Sequence, residues 1–402
     1  MKLINYYKQI FSATMLIAGT TIGAGMLGIP LITSQAGFWP ATVITFLVWI
    51  YMMITGYLFL EATLWMHRGA NVVSITRFFL GKQGKTLSMV IFAFLYYCLM
   101  IAYFSAGAPL FSNLLKPLIG IQLSSMTALV VFGLFFGIVV GVGLKVVDRV
   151  NYILMIGLIA SFIGLIGGGV KEINFARLVP ANWSYLALAA PVLFASFGFH
   201  NVIPSLVDHF KENKKVLKWA IFWGTFLPFI AYVLWQWLII GAVPQELVQK
   251  ALSQGKPITA ALDELSNTSI VQKLGNVFGL FAIVTSMLGV SFSVVDFLGD
   301  GMRMRRKGLH RFILCLITFI PPFIVTAIDP AIFVVAFGIA GGFGEAFLNG
   351  ILPAWLVWVG RYSKAMPSRF RCIGGRGILA VVVLIGFVVM GIEVFMLIKG
   401  FH

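Results

Sequence analysis

Two stretches decide how this chain is read: Ala18-Gly19-Thr20-Thr21-Ile22-Gly23-Ala24-Gly25-Met26-Leu27-Gly28-Ile29-Pro30, and Phe194-Ala195-Ser196-Phe197-Gly198-Phe199-His200-Asn201-Val202-Ile203-Pro204. Each lies near the middle of a long apolar run; glycine is dense in the first, and the second holds Gly198 and Pro204, residue types that make the poorest helix. At membrane depth a frayed backbone is tolerated only where protein or a watery cavity satisfies its polar groups, so both stretches predict a cavity inside a helical bundle. The Gly19-x-x-x-Gly23 spacing is also a close-packing motif of paired membrane helices, and that reading stays open for the first stretch. A second break at the matching place favours the cavity.

The surrounding composition requires a membrane. Hydrophobic residues fill 60% of 402 positions and charged residues only 10%, against roughly 45–50% and 25% in an ordinary soluble domain. No ionised residue lies between Lys8 and Glu61, Lys85 and Lys116, Lys116 and Lys145, Arg149 and Lys171, or Lys218 and Glu246. A span needs about 20 residues, and these gaps supply them. The expected fold is all-α and integral to the membrane, with eleven spans near 10–33, 40–65, 87–112, 124–144, 150–170, 184–207, 217–241, 274–298, 311–328, 330–360 and 377–398. The gap after Lys8 holds two spans divided at Ser34-Gln35-Ala36-Gly37, and 330–360 is one span with Glu345 buried inside it. The apolar run after Lys8 has no small-residue cleavage site and reads as a retained first span rather than a signal peptide.

The net charge of +16 does not point to nucleic acid, because the basic residues lie in short loops between apolar runs. Cys98, Cys315 and Cys372 have neither disulfide nor metal-ligand spacing, and no cofactor or metal is expected. Gly81-Lys82-Gln83-Gly84-Lys85-Thr86 ends like a phosphate loop, but Phe79 stands where the first glycine belongs; it reads as a basic cytoplasmic turn. Placing the amino terminus inside puts 22 of the 29 Lys and Arg in cytoplasmic loops, as the positive-inside rule asks. An odd span count then leaves the carboxy terminus outside. Trp39, Trp65, Trp183, Trp219, Trp237 and Trp358 fall near span ends, as an aromatic belt would.

In this orientation span one runs outward and span six inward, which is what an inverted repeat of five spans requires. Residues 1–170 form its first half and 171–360 its second; a basic loop and span eleven follow in 361–402. Corresponding interruptions in two halves point to a transporter's midplane site. The chemistry suits a zwitterion. Unwound half-helices offer N–H groups and a positive dipole end to a carboxylate, and carbonyls to an ammonium, so no charged side chain is needed.

Gly19 through Leu27, Ser196-Phe197-Gly198-Phe199-His200, and Ile203-Pro204-Ser205 together resemble the hydroxy and aromatic amino acid permease family, above all its bacterial tyrosine- and tryptophan-specific members. Glu61 with Leu64-Trp65, Ala102-Tyr103-Phe104-Ser105, and Asp296-Phe297-Leu298 with Asp300 resemble it too. The resemblance covers essentially the whole chain. It implies the five-plus-five fold of the amino acid, polyamine and organocation superfamily, a bacterial inner-membrane location, and proton-driven import of an amino acid. By that resemblance Thr21, Ile22, Gly23, Ala24 and Gly25 hold the carboxylate, and Ser196 and Phe197 offer carbonyls to the ammonium. Thr20, Tyr103, Gly198, Phe199 and His200 complete the substrate-binding set. Phe197 and Phe199 flank the break and could stack on an aromatic substrate, although packing is the plainer role for any one phenylalanine among 37.

Intramembrane carboxylates cost about 2.5–3.5 kcal/mol even on the gentle insertion scale, so each needs a reason. Glu61, His200, Asp296 and Glu345 are the groups that could carry a proton. Pairing with loop arginines is the plainer account of Glu61 and Asp296, while Glu393 is peripheral. Sodium is the alternative ion, held by carbonyls near the first break with Ser291 and Ser293. An intramembrane enzyme would need clustered acidic or metal-binding residues at the membrane face; Asp263-Glu264 is the one adjacent acidic pair, with no histidine or cysteine near it. No filter motif or voltage-sensor arginine series suggests a channel. The expected partners are therefore the lipid bilayer, an amino acid and a proton or sodium ion.

Overall fold

The computed structural model describes residues 2–66, 69–210, 213–265, 269–302, 304–305, 307–367 and 370–400. Among them there is no strand. Ten helices are long and apolar enough to cross a membrane, and a bent pair brings the spans to eleven. Span one is that pair, Lys2–Thr21 and Gly25–Ala36, bent by 62° at the break. The others are Phe38–Leu64, Val72–Ile119, Ser125–Val142, Leu144–Gly169, the Trp183–His209 segment, Lys214–Ala242, Ile270–Met302, Gly308–Ile328, the Phe333–Ser363 segment and Arg376–Lys399. Spans two, six, seven, eight and ten are the more buried, whereas four, five, nine and eleven expose most of their surface. Leu134, Ile138 and Ile163 on those outer spans are exposed, as lipid contact allows.

Local chemistry explains the boundaries. Gly37 divides spans one and two at φ 87°, where a side chain would run into the Pro180 carbonyl. A helix opens at Val72, ahead of the stretch that the hydropathy marks as span three: Asn71 and Ser74 form a reciprocal capping box at its start, and beyond Gly81 the chain is helical again to Ile119. Gly81, at φ 71° and ψ -160°, is not helical, so two helices meet at a kink there, at the start of the stretch expected as a basic turn, and the residues after it are helical. Span ten is continuous across Glu345, as expected, but winds wide: Ala340–Ile351 is π-helical. Wide turns of this kind recur at functional sites.

Span six breaks as its sequence predicts. Helix Ala190–Ser196 stops, Phe197 to Phe199 leave helical geometry, a short 3₁₀ turn covers His200–Val202, and Ile203–His209 resumes with proline at its start.

Candidate functional site

Residues Ile22 to Ala24 are the unwound part of span one. The Met26 and Leu27 N–H groups turn back to the carbonyls of Gly23 and Ala24 at 3.0 Å. Ser286 of span eight accepts from the Ala24 N–H at 3.2 Å. Gly23 and Gly25 are required here: a Cβ on either would strike Ser286 or Ser196, respectively. The two breaks therefore touch, with Gly25 of span one directly against Ser196 of span six.

Span seven lies behind both. The Tyr232 hydroxyl is 2.7 Å from the Thr21 carbonyl and 2.7 Å from the Ser196 carbonyl. Trp235 Nε1 donates to the Met26 carbonyl at 2.6 Å. Gln236 Nε2 donates to Thr45 Oγ1 and to the Tyr232 carbonyl, each at 3.1 Å. All three side chains are fully buried.

On the other side of the span-six break lies a cavity of about 90 Å³. Thr20, Tyr103, Gly198 and His200 line it, all expected site residues, together with Phe59, Phe92, Tyr96, Asn201, Glu345 and Asn349. Glu345 faces Gly198 and accepts from the Asn349 amide. His200 Nε2 is 2.9 Å from Thr55 Oγ1, and its Nδ1 has no hydrogen-bond partner among the described residues. Asn201 Nδ2 reaches the Tyr96 hydroxyl at 3.5 Å.

Other expected residues lie elsewhere. Phe197 packs edge-on against Tyr232 with centroids 5.0 Å apart, and Phe199 packs against Gly56 and His200. Both are fully buried and neither lines the cavity, so its aromatic wall is Phe59, Phe92, Tyr96 and Tyr103. Glu61 is in a closed ion pair: Arg361 Nε and Nη2 reach its two oxygens at 2.7 and 2.6 Å, and the Cys372 N–H adds a third bond at 2.7 Å. Asp296 is half-buried on span eight and does not line the cavity. Ser291 and Ser293 bond their own helix, at Leu288 and Gly289; the span-eight serine at the first break is Ser286. Sequence reasoning missed Ser286, Tyr232 and Trp235. The one trace of the latter pair is the polar-tipped run Tyr232, Trp235, Gln236, which shares a helix face by its spacing.

The described residues hold no cluster of three or more His, Cys, Asp or Glu that could bind a metal. The site is a cavity walled by aromatic rings and bordered by the unwound backbone of span six, with one carboxyl group at the break; of span one only Thr20 reaches it, and Thr21 to Gly25 lie outside its lining.

The profile of the tryptophan/tyrosine permease family matches residues 7–393. A tyrosine-specific transport system 1 of Haemophilus influenzae is 30% identical over 392 residues, covering 96% of each chain. A tryptophan-specific transport protein of the same organism is 31% identical over 94% of each. A low affinity tryptophan permease of Escherichia coli is 29% identical, again over 94% of each. Among solved structures, a manganese transporter of Eremococcus coleocola superposes with a TM-score of 0.58 over 96% of this chain and 85% of that one, at 14% identity. That likeness speaks for the fold alone.

Proposed function

We propose that this chain, which belongs to the tryptophan/tyrosine permease family, imports tyrosine or tryptophan across the bacterial cytoplasmic membrane in symport with protons. Its relatives are transport proteins and permeases, and the chain is accordingly a transporter and not an enzyme. The observation that carries the finer reading is the meeting of Glu345 with Gly198 in an aromatic-walled cavity at the span-six break.

The backbone of Thr21 to Gly25 takes the substrate carboxylate, and the carbonyl of Phe197 takes its ammonium, the Ser196 carbonyl being engaged by Tyr232. Such groups serve a zwitterion without a fixed counter-charge. Phe59, Phe92, Tyr96 and Tyr103 surround the ring, where an aromatic side chain finds both area and edge-on partners. Glu345 carries the coupling proton. A carboxyl group exposed alternately to water and to protein takes up and releases a proton, whereas sodium needs several oxygens held together. His200 lines the same cavity and is the second group that can hold a proton there. Residues 1–170 and 171–360 act as the two inverted halves, with the amino terminus inside and the carboxy terminus outside.

Uptake into proteoliposomes tests this reading. An inward proton gradient drives accumulation of labelled tyrosine or tryptophan without sodium, and unlabelled aromatic amino acids compete. Strict sodium dependence would overturn the coupling, with Ser286 and the span-one carbonyls as the site to examine. Accumulation that requires a second internal amino acid would make the protein an exchanger.

A further inference from the structure

Thr21 is the last helical residue of the first half of span one, and Ser196 the last of helix Ala190–Ser196 in span six. Both carbonyls therefore stand at helix carboxy-terminal ends, where acceptors lose their partners in the next turn and the helix dipole is negative. The two ends converge on one atom. The Tyr232 hydroxyl lies 2.7 Å from each carbonyl, in a region where Tyr232 and Phe197 have no measurable exposure. A phenol has a single proton, so it donates to one carbonyl at a time while the other faces it. Two negative helix ends brought together in a dry interior call for a cation or a donor, since an unpaired buried acceptor is costly.

We infer that Tyr232 is a positioning residue of the transport cycle, tying the carboxy-terminal ends of the first halves of both broken spans to one point so that the two breaks rearrange as a unit. Its neutral hydroxyl does what a bound cation would otherwise have to do there. The surroundings support a fixed post rather than a mobile gate. Phe197 clamps the ring edge-on, Gln236 holds the Tyr232 carbonyl one turn along, and Trp235 grips the second half of span one through Met26. Span seven thus contacts span one on both sides of its break and span six at its break. The role in transport rests on the proposed function; the mechanical tie does not.

The test replaces the hydroxyl alone. In Tyr232→Phe, hydrogen–deuterium exchange rises together in peptides covering 18–26 and 193–202, while the melting temperature of the purified protein falls by no more than a few degrees, the cost of leaving the buried carbonyls without a donor. Exchange that rises in neither segment, or in only one, overturns the tie whatever the protein transports. In proteoliposomes the same variant loses at least tenfold in turnover for tyrosine or tryptophan with KM changed less than threefold. Wild-type turnover overturns the role in the cycle. Two further chains guard against simple misfolding: 4-aminophenylalanine at position 232, which keeps a donor, and 4-methylphenylalanine, which fills the same space without one. The amino compound restores turnover and the methyl compound does not; equal behaviour of the two overturns the inference.

Discussion

Gly198 and Glu345 face each other across the span-six break so closely that a Cβ on the glycine would come within 2.6 Å of Glu345 Oε1 and 2.8 Å of its carboxyl carbon. The absent side chain leaves room for a carboxyl group beside an unwound backbone.

Gly198→Val fills that room. The glutamate is buried and bonded to Asn349, so it cannot swing freely away. Overpacking of this kind costs about 1–3 kcal/mol, tolerable for insertion, while uptake falls at least a hundredfold. Gly25→Val gives the same result through Ser196. Membrane content by immunoblot and uptake by the same cells separate the two effects, and wild-type uptake in both variants would return these glycines to a packing role.

Glu345→Gln keeps shape and removes the titrating group. Equilibrium binding of tyrosine or tryptophan stays within about threefold, because backbone groups carry it, but accumulation no longer follows an imposed proton gradient. Counterflow exchange continues. Gradient-driven accumulation by this variant would move the coupling proton to His200, tested by His200→Gln.

Breaking the Glu61–Arg361 pair is a stability experiment. The two side chains are 1% and 5% exposed, and removal of one partner from such a pair costs about 3–5 kcal/mol because the other charge stays buried. Arg361→Ala lowers the melting temperature of the detergent-solubilised protein clearly, and the joint Glu61→Gln, Arg361→Gln variant recovers part of the loss. Additive losses in the joint variant would show that the two residues act separately.

Cys372 reports on the same joint. Burial pushes its thiol up to about 11, with the Glu61 charge adding to the shift and Arg361 opposing it. Reaction needs the thiolate, so at pH 7.5 alkylation runs on the order of a hundredfold slower than for a free cysteine, and it quickens as pH climbs toward 11. Freeing the loop with Glu61→Ala exposes the thiol and restores ordinary labelling. Fast labelling of the parent would show that the loop opens by itself.

Reporter fusions check the orientation. The proposed orientation, drawn from the division of basic residues, expects loop 299–311 inside and the carboxy terminus outside; a reporter after Lys399 that is active only in the cytoplasm would contradict the odd span count.

Both broken spans, the eleven-span layout and the buried position of Glu345 were legible in the chain itself. Their signals are local: glycine and proline density, uninterrupted apolar length, and a lone charge within it. What those signals lack is direction. A membrane helix is apolar on every face, so periodicity does not say which side of span seven meets protein and which meets lipid. Tyr232 meets Thr21 across 211 positions, Ser286 meets Ala24 across 262, and Arg361 meets Glu61 across 300. Nothing in the short-range pattern specifies such pairs. The aromatic wall was likewise settled by packing, which turned Phe197 and Phe199 into the core and left Phe59, Phe92, Tyr96 and Tyr103 to line the cavity. The sequence alone determined where the backbone had to come apart, because helix propensity acts within a few residues. Only the tertiary structure decided which side chains would satisfy the carbonyls exposed there, because that depends on how distant helices pack.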